Sequence, residues 1–101
     1  MSVTTRYIEG SKEARIKVEG EFNFDLVMDL RDAYLDPDLT PYKITVDLTE
    51  CTYMDSAALG AMLIMKSHLG KADGDIVIQV VDPYVLKVLE AAHFEIKFTI
   101  E

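Results

Sequence analysis

An aspartate and a serine, Asp55-Ser56, stand where a strand-like apolar run gives way to a helix-like one. Upstream lies Ile44-Thr45-Val46-Asp47-Leu48-Thr49, and downstream Leu59, Met62, Leu63 and Leu69 fall at spacings that suit one helical face. Asp55 is the expected N-cap, its carboxylate accepting from first-turn amides, so Ser56 opens the helix. A phosphate esterified there would bring roughly two negative charges to unpaired N–H groups and the positive end of the helix dipole. The chemistry these residues suit is reversible modification of Ser56.

Other chemistries lack their parts. A serine hydrolase needs a glycine-flanked nucleophile elbow, and the Gly-x-Ser-x-Gly pattern is absent around Ser56. Asp47, Glu50 and Asp55 have no histidine near them in sequence, so no metal site is expected. No glycine-rich phosphate loop of the Walker or dinucleotide type occurs. The expectation is a protein without catalytic residues or cofactor. Cys51, the single cysteine, reads as a small buried hydrophobe, and His68 and His93 as isolated structural residues. Met54, Met62 and Met65 read as core filling, with Met62 or Met65 reaching the surface at its edge.

The elements that must present Ser56 are read from periodicity. Tyr7-Ile8 and Ala14-Arg15-Ile16-Lys17-Val18 read as two strands of a hairpin through Glu9-Gly10-Ser11-Lys12-Glu13. Gly20-Glu21 reads as a break, after which Phe24, Val27, Leu30 and Tyr34 mark the buried stripe of a first helix, ended by Asp36-Pro37-Asp38. Tyr42 to Leu48 is a central strand, and the helix from Ser56 to Leu69 closes at Gly70, with Gly74 in the next turn. Ile76 to Val81, almost continuously apolar, reads as a strand covered on both faces. Asp82-Pro83 starts a third helix with Val85, Val88, Leu89 and Ala92 buried, and Lys97 to Ile100 is the last strand. The order ββαβαβαβ calls for an α/β fold: a mixed, mostly parallel sheet with helices packed on it, in one domain over residues 1–101.

Half of the 101 residues are apolar, enough for one core. Eighteen acidic residues against ten scattered basic ones give a net charge of -8, which disfavours nucleic acid and anionic membranes and points to protein partners. Nothing approaches the ~18 to 20 apolar residues that span a bilayer, and Met1 to Arg6 has no signal-like apolar region. A cytoplasmic protein without membrane insertion is expected.

The run Val46-Asp47-Leu48-Thr49-Glu50-Cys51-Thr52-Tyr53-Met54-Asp55-Ser56-Ala57-Ala58-Leu59-Gly60-Ala61-Met62-Leu63 resembles the core signature of STAS domains of the bacterial anti-sigma factor antagonist type. Gly20-Glu21-Phe22-Asn23 is similar to the family's Gly-Glu-Leu-Asp segment, and Asp82-Pro83 fits the start of its later helix. The resemblance implies a partner-binding switch. Ser56 would be phosphorylated by an anti-sigma-factor-like serine kinase, or bind another regulator protein, and a PP2C-type phosphatase would remove the phosphate. Asp55, Ser56, Ala57, Ala58, Glu21, Asn23 and Met62 would form the contact surface. Two departures from the family are visible: Ala57-Ala58 replaces the frequent Ser-Gly, and the chain ends soon after Ile100, where many antagonists add a helix. A second reading of the same resemblance is a docking subunit of a transport assembly, such as a lipid ABC transporter, with no switch.

Overall fold

Alternation in sequence becomes a two-sided sheet. In the computed structural model, which describes residues 2–8, 10–35 and 39–101, strands β1 (Ser2–Ile8) and β2 (Glu13–Phe22) pair antiparallel with Thr5 opposite Ile16. Ala14, Ile16 and Val18 are buried on the helix-covered face, while Arg15, Lys17 and Glu19 between them point to the open one. The other pairings are all parallel: β2 with β3 (Lys43–Leu48), β2 with β4 (Cys51–Met54), β3 with β5 (Val77–Val80), and β5 with β6 (Thr99–Ile100). The sheet runs β1-β2-β3-β5-β6, with β4 beside β2.

Helices α1 (Val27–Leu35), α2 (Ser56–His68) and α3 (Pro83–Ala91) supply the crossovers that parallel strands require. Their inward side chains, among them Leu30, Met62, Met65, Val85 and Leu89, join Phe22, Ile44, Val46 and Phe98 in one core. Each such side chain contributes about 1.5–3 kcal/mol by leaving water, so the core holds the sheet and helices together. No helix among the described residues is long and apolar enough to cross a membrane.

The mixed, mostly parallel α/β architecture expected from the sequence is the one observed, with corrections in detail. Gly20-Glu21 is no break: β2 runs through it to Phe22, with a register shift between Gly20 and Glu21. β4 is an added strand in the stretch between Leu48 and Ser56 to which the expected order assigned no element, since only Cys51 and Met54 of its four residues are buried and the pattern is too short to show. Phe24 does not belong to the buried stripe. It lies in a 3-10 turn (Phe24–Leu26) and is 73% exposed, and Leu26 takes the inward position. β5 is covered on one face only, because its outward residues Val77 and Gln79 lie on the open side of the sheet. In α3 the buried stripe narrows to Val85 and Leu89, with Val88 half-buried and Ala92 exposed. The expected helix stop at Asp36-Pro37-Asp38 lies outside the described residues, as does Glu9 of the hairpin loop.

Candidate functional site

One local turn and one contact between strands set the path of the chain into Ser56. At the end of β3, Asp47 Oδ1 accepts hydrogen bonds from the Thr49 amide at 2.9 Å and the Thr49 hydroxyl at 2.6 Å, a local turn of the kind aspartates favour. Beside it, Gly20 adopts φ +84°, a left-handed conformation that only glycine enters cheaply, and its amide donates to the Glu50 carbonyl at 3.0 Å. Lys17 of β2 forms ion pairs with Glu50 in this turn and with Glu19 two residues along its own strand. The two residues Thr49 and Glu50 are thus looped out. Before them β2 pairs with β3, Ile16 facing Val46; after them β2 pairs with β4, Phe22 facing Met54. A bulge of this kind bends a strand and re-aims the chain beyond it.

The chain leaves β4 through Asp55. The amide of this residue donates to the Phe22 carbonyl at 3.3 Å, which ties the end of β4 to the end of β2. Its backbone is extended (φ -114°, ψ -179°), and Oδ1 accepts from the Ala58 amide at 3.0 Å. That is the N-cap expected from sequence. Ser56 is then the first residue of α2 and is exposed, so its hydroxyl is open to solvent. The amides of the first turn other than Ala58's have no partner within the helix and face the same end.

Two further helical starts are brought to this edge of the sheet. Asn23 Oδ1 accepts from the Asp25 amide at 2.9 Å, capping the 3-10 turn that leads into α1. Asp82 Oδ1 accepts from the amides of Tyr84 at 2.8 Å and Val85 at 3.1 Å, capping α3. Because β2, β4 and β5 are parallel, all three capped N-termini lie at the strands' carboxyl ends, where open α/β sheets commonly bind their ligands. α3 packs on β4, and the rings of Tyr53 and Tyr84 stack with centroids 5.8 Å apart and planes 12° apart.

Of the residues expected to form the contact surface, the structure brings Glu21, Asn23, Asp55, Ser56 and Ala57 to this edge. Glu21 and Ser56 are exposed; Asn23, Asp55 and Ala57 are half-buried. Ala58 and Met62 do not belong to it. Both side chains are fully buried, since they sit on the face of α2 that packs into the core, and Ala58 contributes only its amide to the Asp55 cap. The outward face of α2 carries Ser56, Gly60 and Ile64 instead, one turn apart, with Ile64 64% exposed. Gly60 and the Tyr53–Tyr84 pair went unread in the sequence as site features. A mid-helix glycine between apolar neighbours was the available signal for the first; the second pair is 31 residues apart and had none.

Electrostatics sort the carboxylates. Burial acts to push the Asp47 carboxyl up, but the two hydrogen bonds from Thr49 and the charges of Arg15 and Lys17 outweigh it, and the group sits below its ordinary value. Burial pushes the Cys51 thiol up, so it stays protonated and inert, as its reading as a core residue requires. Among the described residues no group of three or more histidine, cysteine or acidic side chains could hold a metal ion.

The model of a family described as "Mlab, STAS domain" matches residues 6–99. The chain belongs to the STAS-domain family. A STAS-domain containing protein of Pseudomonas aeruginosa (strain UCBPP-PA14) is 36% identical over 100 residues, covering 99% of both chains. The solved structure of the anti-sigma factor antagonist SpoIIAA in its unphosphorylated form superposes with a TM-score of 0.68 at 15% identity, covering 99% of this chain and 87% of that one. A protein of the DUF3478 family from Shewanella loihica PV-4, with a SpoIIAA-like fold, gives a TM-score of 0.58 at 12% identity, covering 99% and 84%. The STAS fold inferred from the Asp-Ser junction is therefore the fold of this chain.

Proposed function

We propose that this STAS domain is a phosphorylation-gated protein-binding switch of the antagonist type. Ser56 is the acceptor, a partner serine kinase adds the phosphate, and a PP2C-type phosphatase removes it. The observation that carries the reading is the exposed position of Ser56 as the first residue of α2, behind a cap that commits Asp55 to the Ala58 amide and leaves the hydroxyl free. Ala57 and Gly60 keep the surface beside it low, so a partner backbone can approach closely. A dianion at Ser56 adds bulk and a desolvation cost to that contact, with Asp55 and Glu21 adding like-charge repulsion. The downstream process is a bacterial regulatory pathway.

The test pairs the chain with its candidate kinase and ATP and reads intact mass. A phosphate adduct in the parent and none in Ser56→Ala supports the switch; equal phosphorylation of both sinks it. Ser56→Asp should release the partner that Ser56→Ala retains. The alternative is a docking subunit of a transport assembly whose binding ignores Ser56. It is favoured by the exposed apolar residues at this end, Phe24 at 73%, Val81 at 71% and Tyr84 at 50%, which suit constitutive contact. A stable complex with a transporter ATPase, unchanged by Ser56→Asp, would select it.

A further inference from the structure

The open face of the sheet carries a cationic cluster that the proposed switch does not use. Arg6 on β1 and Arg15 on β2 are directly opposed in register and both point to that face, as do Thr4 and Lys17 one pair further on. Like charges facing each other across a strand pair oppose folding. In a chain of net charge -8 such a pairing is conspicuous. The residues line a groove of about 320 Å³ together with Glu19 and Asp47, so three cations there face two carboxylates.

The carboxylates and two of the cations are engaged. Arg15 reaches Asp47 Oδ2 at 3.5 Å and donates from the same nitrogen to Gln79, and Asp47 is also held by Thr49. Lys17 is paired with Glu50 and, at 3.9 Å, with Glu19. Arg6 has no ion-pair or hydrogen-bond partner among the described residues. Its planar fork of five donors is left beside the remaining donors of Arg15, a geometry that suits bidentate capture of an oxyanion. The Thr4 side chain stands at the same rim and adds a hydroxyl donor.

We propose that this groove is a binding site for a small oxyanion, a carboxylate or phosphate group clamped between Arg6 and Arg15. It lies on the face of the sheet away from the helices, apart from the Ser56 edge, and does not depend on the switch. The volume is at the lower end of small-molecule sites, so the ligand is a compact one.

Nitrogen-15 spectra of the full chain are recorded during titration with inorganic phosphate and, separately, with succinate, ionic strength being held constant with chloride. The expected result is saturable shifts at the amides of residues 4–6 and 15–17 and at the Arg6 and Arg15 side chains. Arg6→Gln should weaken binding at least tenfold, and Arg6→Lys, which keeps the charge and loses the fork, by an intermediate factor. Saturation by phosphate alone assigns a phosphoryl ligand, and by succinate alone a carboxylate. Linear, unsaturated shifts with both probes, or equal affinity in Arg6→Gln whose spectrum elsewhere matches the parent, would overturn the proposal.

Discussion

Gly60 offers the sharpest separation between what the fold needs and what the surface needs. It lies in the second turn of α2, its φ is not positive, and a Cβ built on it meets nothing within 4 Å. Neither backbone strain nor tight packing therefore explains a glycine there. In a helix interior glycine is less favourable than alanine by roughly 0.5–1 kcal/mol, because the unfolded chain gives up more freedom. Gly60→Ala should then stabilise the protein by about that amount, and in a domain of this size raise Tm by about 2–8 °C. Urea denaturation should show a higher midpoint at unchanged slope. Partner binding should move the other way. A methyl one turn below Ser56 holds a docked backbone off, and a tenfold loss of affinity, about 1.4 kcal/mol, is the expected scale. A destabilised Gly60→Ala protein would refute the reading of the helix face; a stabilised one with full partner affinity would detach Gly60 from docking.

Three further outcomes can be read with the same denaturation assay. Asp55→Ala removes the cap on Ala58 and should cost about 1 kcal/mol, whereas Ser56→Ala, exposed and outside the cap, should stay within about 0.5 kcal/mol of the parent. Gly20→Ala forces a side chain onto φ +84° at the register shift and should cost about 1–2 kcal/mol. Asp47 has a folded-state pKa below the ordinary 3.8, so its stabilising contribution is present above that value and lost as pH falls below it. Urea midpoints of the parent should therefore drop more steeply on acidification below about pH 4 than those of Asp47→Asn.

The parallel architecture was legible because crossover helices and apolar strands alternate visibly from Tyr42 onward, and Asp55 and Asp82 announce their caps by residue type alone. The opening was legible in part: the alternation Ala14 to Val18 marks β2, but its extension to Phe22 is hidden by Gly20, whose role in a bulge depends on Glu50 thirty residues away. β4 escaped for a different reason: a four-residue strand with two inward side chains has too little pattern to register. Phe24 and Val77 show the limit of reading hydropathy as burial. Each is apolar, and each ends on a surface that only the tertiary arrangement defines. Met62, read from its type as core filling, is buried as that reading requires; only its place in the contact surface, taken from the resemblance, fails, because helical phase turns it inward, while Gly60 and Ile64 take the outward positions. The Arg6–Arg15 opposition also required the register, which no local pattern states.

Whether a phosphate at Ser56 acts on the fold or on the contact is decided by comparing magnitudes. The cap hydrogen bond runs from the Ala58 amide to Asp55, and the Ser56 side chain takes no part in it, so esterification breaks no bond inside the protein. The remaining first-turn amides and the dipole favour an anion by about 0.3–1 kcal/mol, and Asp55 opposes it by a similar small amount through solvent. These terms nearly cancel, so the scaffold should hardly register the modification. At a docked surface the same group must lose its water next to Asp55 and Glu21, and even about 3 kcal/mol there lowers affinity more than a hundredfold. On the proposed function, a domain with an exposed hydroxyl at a capped helix start would switch its partner without changing its own structure. Unequal costs on the two sides of the interface are sufficient.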